Sequence, residues 1–348
     1  MKKILIATLA TVAMVACSND ELISQAAPEA ITFDTFVENA TRSVVDPSLT
    51  LDGLKDANVG FGVYGFVTGD PANAAATTAP IFTNEHVTYT DGAWTYGTTQ
   101  YWIAGATYNF FALAPFTGYN VANVTDATTT GVNLTFNNAE GTTDLLYAQV
   151  NNATHDTTVG FNFRHILSKV KFTFVNKYNA TNTKIQINDI KISNAIEDAT
   201  VTLSNSTPVW VTEDTPSLQV FDFGAATYNA TTGVAESKEP GTYESYKEFL
   251  LIPFNYTDDN TDSAVQKLKI SFNYDIVVNG VTVKNFPVAS AINVNLEPGK
   301  AYNFKATIEP GASIEFSADI IDWDNDHDGK EGTDGTDNNG DDQVDTTI

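Results

Sequence analysis

The chain has 348 residues, 42% of them hydrophobic and 18% charged, with a formal net charge of −25. That length accommodates two domains of ordinary size. The charge excludes nucleic acid and anionic lipid as partners, since both repel a polyanion, and the single cysteine, Cys17, excludes a disulfide within the chain.

Lys2 and Lys3 precede the apolar run Ile4 to Val15, which ends at Ala16-Cys17. A bilayer needs roughly 20 apolar residues, so the run is too short to span one. A short positive region, an apolar stretch and a small residue before a cysteine form a lipoprotein signal, with Cys17 as the lipidated residue. An ordinary secretory signal with an incidental cysteine is the alternative. Acyl chains on Cys17 would hold the protein in a membrane, each buried CH2 contributing about 0.8 kcal/mol. Ser18-Asn19-Asp20-Glu21 then begins a polar tether, residues 18–29.

Ile31-Thr32-Phe33 opens the first strand-like stretch. It is followed by Val59–Tyr64, His86–Tyr89, Ala93–Tyr96, Tyr108–Leu113, Val132–Phe136, Leu145–Ala148 and Phe161–Phe163. Most alternate apolar with polar residues, the period of a strand buried on one face, and Gly, Asn, Asp and Thr fill the gaps as turns require. The second half repeats the style. From Lys169 to Phe174, Val170, Phe172 and Phe174 point one way, and Lys169, Lys171 and Thr173 the other. Further stretches are Ile185–Ile187, Ile190–Ile192, Val201–Leu203, Val209–Val211, Phe249–Ile252, Leu268–Phe272, Val281–Val283, Tyr302–Phe304 and Ile314–Phe316.

So many short strands with turn residues between them predict an all-β protein of two antiparallel β-sandwich domains in tandem. The boundary falls near His165 to Ser168, giving domains 30–165 and 166–323 after a signal peptide, 1–17. Residues 324–348 form an Asp/Asn/Gly-rich tail; Asp322 to Asp345 holds ten acidic residues and one lysine, so the tail cannot join a core.

Asp324, Asp326 and Asp328 before Gly329 match the start of a calcium loop, with oxygens at alternate positions and glycine at the turn. An EF-hand would place a glutamate where Gly335 stands. Asp334 and Asp337 extend a different pattern, similar to the Asp/Asn-rich calcium repeats of extracellular proteins. The tail is therefore either a weak Ca2+ site or a purely solvating acidic segment; no other cofactor is expected.

No enzyme signature emerges. His86, His155, His165 and His327 have no spacing that suggests a metal site or a triad, and neither a phosphate-binding glycine loop nor a Gly-x-Ser-x-Gly motif occurs. Trp94, Trp102, Trp210 and Trp323 offer either sugar-stacking faces or buried core aromatics.

Several phrases together resemble the fimbrillin family, the type V pilus subunits of Bacteroidetes. They are Trp94-Thr95-Tyr96 with Tyr101-Trp102, Tyr108-Asn109-Phe110-Phe111-Ala112-Leu113-Ala114-Pro115, Phe163-Arg164-His165-Ile166-Leu167-Ser168-Lys169-Val170, Leu251-Ile252-Pro253-Phe254, Pro298-Gly299-Lys300-Ala301-Tyr302-Asn303-Phe304 and Ile321-Asp322-Trp323. The resemblance implies that the two sandwiches are transthyretin-like. It also implies a lipoprotein precursor that matures at the cell surface, anchored to the outer membrane by its lipid. Ser18-Asn19-Asp20-Glu21 is similar to the acidic export tag of surface lipoproteins in that phylum.

In the family a surface protease cuts after an arginine behind the first strand, and a strand from the next subunit fills the vacated groove by β-augmentation. Here Thr41-Arg42-Ser43 follows the Ile31–Val37 strand, and Arg42 is the only Arg or Lys between the signal and Lys55. The resemblance thus marks Arg42 and Ser43 as the processing site, against the plainer reading of a solvated loop arginine. The partners it implies are other fimbrillin subunits, and a host or bacterial surface ligand. Either Ile314–Ile321 is the donor strand, or the subunit does not donate and sits at a pilus tip as an accessory adhesin. A surface glycan-binding lipoprotein that captures carbohydrate for import is the rival function. Asp156-Thr157-Thr158 and Asp262-Ser263-Ala264 resemble the O-glycosylation pattern of exported Bacteroidetes proteins, marking Thr157 and Ser263.

Overall fold

The computed structural model describes residues 29–37, 47–56, 58–69, 80–124, 132–155, 157–178, 183–204, 207–227, 241–245, 247–256 and 267–323. In chain order the elements begin with β1 (Phe33–Val37), α1 (Leu51–Leu54), β2 (Phe61–Gly69), β3 (Pro80–Thr90), β4 (Ala93–Thr95) and β5 (Thr107–Ala114). Next are β6 (Asn120–Val124), β7 (Val132–Asn137), β8 (Leu146–Thr154), β9 (Val159–His165), β10 (Ser168–Asn176) and β11 (Thr183–Ile196). Then follow β12 (Asp198–Leu203), β13 (Val209–Val211), β14 (Leu218–Gly224), β15 (Ala226–Thr227), β16 (Gly241–Ser245) and β17 (Phe249–Leu251). The last are β18 (Asn255–Tyr256), β19 (Leu268–Val278), β20 (Val281–Ile292), β21 (Val294–Asn295), β22 (Lys300–Ile308) and β23 (Glu315–Asp322).

The all-β expectation holds. Among the described residues the one α-helix is α1, a single turn whose N-cap Thr50 accepts a hydrogen bond from the Gly53 amide, which is the capping geometry threonine favours. No helix among these residues is long and apolar enough to cross a membrane. The largest sheet runs β1-β9-β8-β5-β2-β3-β4. A second runs β15-β16-β10-β22-β23, with β17 also paired to β10. The orders β14-β11-β19-β20 and β13-β12-β7-β6 make two four-stranded sheets, and β18 pairs with β21. These pairings are antiparallel except β1 with β9 and β10 with β22, which are parallel.

Patterning explains where each strand lies. In β9, Val159, Phe161, Phe163 and His165 are buried while the residues between them are exposed, the signature of a strand with one covered face. β5 reads Thr-Tyr-Asn-Phe-Phe-Ala-Leu-Ala and is buried almost throughout. Its Tyr108, Phe110 and Ala112 join one core with Phe33, Phe61 and Phe161. The alternate residues Phe111 and Leu113 join the other, with Phe172, Phe174, Val201 and Phe304. A near-continuous apolar run is what a strand between two cores requires.

The sheet β13-β12-β7-β6 draws strands from both sides of His165: β6 and β7 precede it, β12 and β13 follow it. Near that residue a polar cluster is buried. His165 Nδ1 stands 2.8 Å from Asp144 Oδ2, and Lys169 Nζ stands 3.8 Å from Glu248 Oε2. The strict in-out alternation expected for Lys169 to Phe174 fails at two positions, because Lys169 and Thr173 are buried as well. The outward face of β10 is covered there. Trp323 lies by Lys169, and Thr173 donates a hydrogen bond to Asn303 of β22.

Candidate functional site

The first strand occupies an unusual position. β1 runs parallel to β9, with Phe33 opposite Val159 and Val37 opposite Phe163. The residues just before it bond to the opposite margin of the same sheet. Ile31 N donates to Gln100 O at 2.9 Å, Trp102 N donates to Glu29 O at 3.0 Å, and Ala30 bridges Tyr101. The Tyr96 hydroxyl donates to Ile31 O at 2.7 Å. One short segment therefore ties β9 to the stretch after β4 and bridges the two margins of the sheet.

Side chains fill the enclosed space. Ile31, Phe33 and Val37 are buried, whereas Phe36 is 50% exposed and Asp34 points outward. The Phe33 ring lies 5.4 Å from Phe82, 5.5 Å from Tyr96 and 5.6 Å from Phe161, with Phe61 and Phe110 slightly farther. Each such fully buried apolar side chain stabilises by about 1.5–3 kcal/mol. Removing the strand would leave three apolar pockets and a row of backbone donors and acceptors without partners. One flaw stands out. The Thr35 hydroxyl is buried with no hydrogen-bond partner, which costs about 1–3 kcal/mol.

Other residues singled out in the sequence resolve as follows. Cys17, Arg42, Ser43, Ser263 and the tail residues Asp324, Asp326, Asp328, Asp334 and Asp337 lie outside the described residues. Thr157 is exposed, and its hydroxyl donates to Thr154 O at 2.8 Å. His86 stacks on Phe116 at 3.9 Å, and His155 Nε2 stands 3.5 Å from Glu29. Among the described residues no group of three or more His, Cys, Asp or Glu could hold a metal ion. Trp102 and Trp323 are core residues, and the half-buried Trp210 donates its indole N–H to Ile166 O at 3.1 Å. Half-buried Trp94 packs edge-on to Phe61. All four tryptophans thus take part in packing contacts.

Sequence reasoning found the strand around Ile31 and its place ahead of Arg42. It missed the bridge through Gln100–Trp102. The signal there was faint: a lone aromatic, Tyr96, whose hydroxyl needs a partner when its ring is buried.

These features define a class of all-β proteins whose first strand bridges the two margins of a sheet. A model of the fimbrillin-like family matches residues 41–323, and the chain belongs to that family. Its members are fimbrial and cell-adhesion proteins of the cell surface, and not enzymes. Among solved structures, a fimbrial protein from Bacteroides vulgatus ATCC 8482 is similar at 21% identity and a TM-score of 0.59. The match covers 84% of this chain and 99% of that one. A protein from Bacteroides ovatus ATCC 8483, provisionally assigned to cell adhesion, matches at 19% identity and a TM-score of 0.47, covering 85% and 98%. The tip fimbrial protein Mfa3 of Porphyromonas gingivalis, truncated at its C-terminus, matches at 11% and 0.36, covering 85% and 100%. No curated protein matches the chain.

Proposed function

We propose that this chain is a fimbrial subunit exported as an outer-membrane lipoprotein on Cys17, cut after Arg42 and assembled by strand exchange into the space β1 occupies. The observation that carries this reading is the bridging of the largest sheet's two margins by Glu29–Val37. Arg42 follows Val37 by five residues, so a cut there severs the covalent link between β1 and everything after it. After the cut, only noncovalent contacts hold β1.

The chain also contains a segment that suits the vacated space. Ile31, Phe33, Thr35 and Val37 recur in spacing as Ile314, Phe316, Ala318 and Ile320. In β23 and the residue before it, Phe316 and Ala318 are buried and Ile314 and Ile320 partly so. β23 is an edge strand, paired only with β22, so it leaves its sheet by breaking one ladder and uncovering Phe316 and Ala318. An alanine in place of Thr35 would also remove the unpaired hydroxyl from the groove. This match favours the Ile314–Ile321 stretch as donor and a second copy, or a related subunit, as acceptor.

We retain as parts of the same proposal the division at 165/166, Ca2+ held by the tail, and glycosylation at Thr157 and Ser263. The test is Arg42→Ala in the native host. The variant should accumulate as a lipidated monomer starting at Cys17, whereas the wild type should start at Ser43 and form ladders on unboiled SDS gels. Normal polymer from the variant would overturn the processing step.

A further inference from the structure

Beside Asn120, and sharing no residue with the β1 groove, a cleft of about 410 Å3 opens on the sheet β13-β12-β7-β6. Its floor follows from register. Asn137 pairs with Asp198, Thr135 with Thr200, and Thr200 with Val211, and residues directly opposite one another share a sheet face. Intervening residues such as Val201 and Leu134 turn into the core. The stretch from Thr212 to Ser217 forms a wall carrying Glu213 and Pro216.

The floor is held in place from within. Asn137 Nδ2 donates to Asp198 Oδ1 at 2.7 Å, and on the same face Thr202 Oγ1 donates to Asn133 Oδ1 at 2.6 Å. Cross-strand hydrogen bonds of this kind fix side-chain rotamers before a ligand arrives and lower the entropy cost of binding.

The lining chemistry narrows the ligand. Carboxylates and amides present paired acceptors and donors, the geometry that meets two neighbouring hydroxyls of a sugar ring. Val211, 56% exposed, and Pro216 offer small apolar surfaces for the C–H face of such a ring. Among the described residues that line the cleft there is no Lys or Arg, so an anion would meet Asp198 and Glu213 without compensation. The volume lies within the range of about 300–1,000 Å3 typical of small-ligand sites. The geometry points to a binding site for a neutral oligosaccharide. It shares no residue with the groove that β1 occupies.

The test is binding of the full chain to maltotriose, mannotriose, lactose and N,N′-diacetylchitobiose by ligand-observed NMR and calorimetry. Sialyllactose and trilysine serve as anionic and cationic comparisons. At least one neutral sugar should bind. Asp198→Ala and, independently, Glu213→Gln should each weaken it by about tenfold. Thr200→Trp should block it, and Val283→Ser, remote from the cleft, should leave it unchanged. Failure of all four sugars, unchanged binding in both acid variants, or tighter binding of trilysine or sialyllactose would overturn the assignment.

Discussion

Trp323 stacks on His165, with ring centroids 3.9 Å apart and planes within 9°. The contact joins the residue just after β23 to the residue that ends β9. His165 in turn stands 2.8 Å from Asp144, whose Oδ2 also accepts the Leu49 amide at 2.7 Å. On the other side, Lys169 Nζ lies 5.2 Å from the Trp323 ring. A buried polar cluster thus links the stretch that leads into α1, the end of β9 and the last described residue.

Removing His165 should be costly. His165→Ala would strip Asp144 of a buried partner, leaving its carboxyl the Leu49 and Leu145 amides alone, and should cost about 1–3 kcal/mol. The exposed pair Lys300–Asp322, at 2.9 Å, should contribute less than about 1 kcal/mol by the same measure. Urea unfolding of His165→Ala and Lys300→Ala checks the contrast, and equal losses would contradict it.

β1 should show a sharp inside-outside difference. Phe33→Ala empties a pocket ringed by five aromatic side chains and should cost about 3–5 kcal/mol. Phe36→Ala, at a half-exposed position on the same strand, should stay within about 1 kcal/mol. Thermal melts of the uncleaved chain measure both.

Thr35→Val should stabilise the uncleaved chain. The hydroxyl has no partner, and replacing a buried unpaired polar group by an apolar one of similar shape recovers its desolvation cost, about 1 kcal/mol or more. If the same hydroxyl weakens the hold of β1 after cleavage, Thr35→Val should also slow polymer formation. A lower melting temperature would refute the assignment of that flaw.

Alkali should destabilise the fold before it ionises every phenol. Burial pushes Tyr64 up to about 12 from an ordinary 10.0, and raises Tyr119, Tyr147, Tyr256 and Tyr302 as well. Between those values the unfolded chain loses phenolic protons that the folded chain keeps. Stability from these groups is therefore complete below pH 10 and falls as pH rises through the folded values. Phenolate absorbance against pH should show a late-ionising set in the native protein that merges with the rest in urea. A single transition near pH 10 in the native protein would refute it.

Much of this protein is legible in its residues. Alternation in stretches such as Val159–His165 fixed strand identity, because a pleated strand with one covered face leaves a period of two. Tyr108–Leu113 was legible as a strand, and the structure buries it on both sides. The phrases from Trp94 to Trp323 carried the family resemblance, and the stretch before Arg42 stood out as a strand without any coordinates.

Tertiary structure decided the rest, because pairing partners are not encoded in local period. Nothing near Val132–Asn137 announces that it will bond to Asp198–Leu203, or that β1 will run parallel to β9. The edge strands β14 and β20 carry weak or one-sided patterns, since solvent covers what a neighbour otherwise would. The bridge through Gln100–Trp102, the burial of Lys169 beside Glu248 and the cleft between Asp198 and Glu213 each depend on chain segments distant in sequence. Their free energy comes from contacts that exist only once those segments meet.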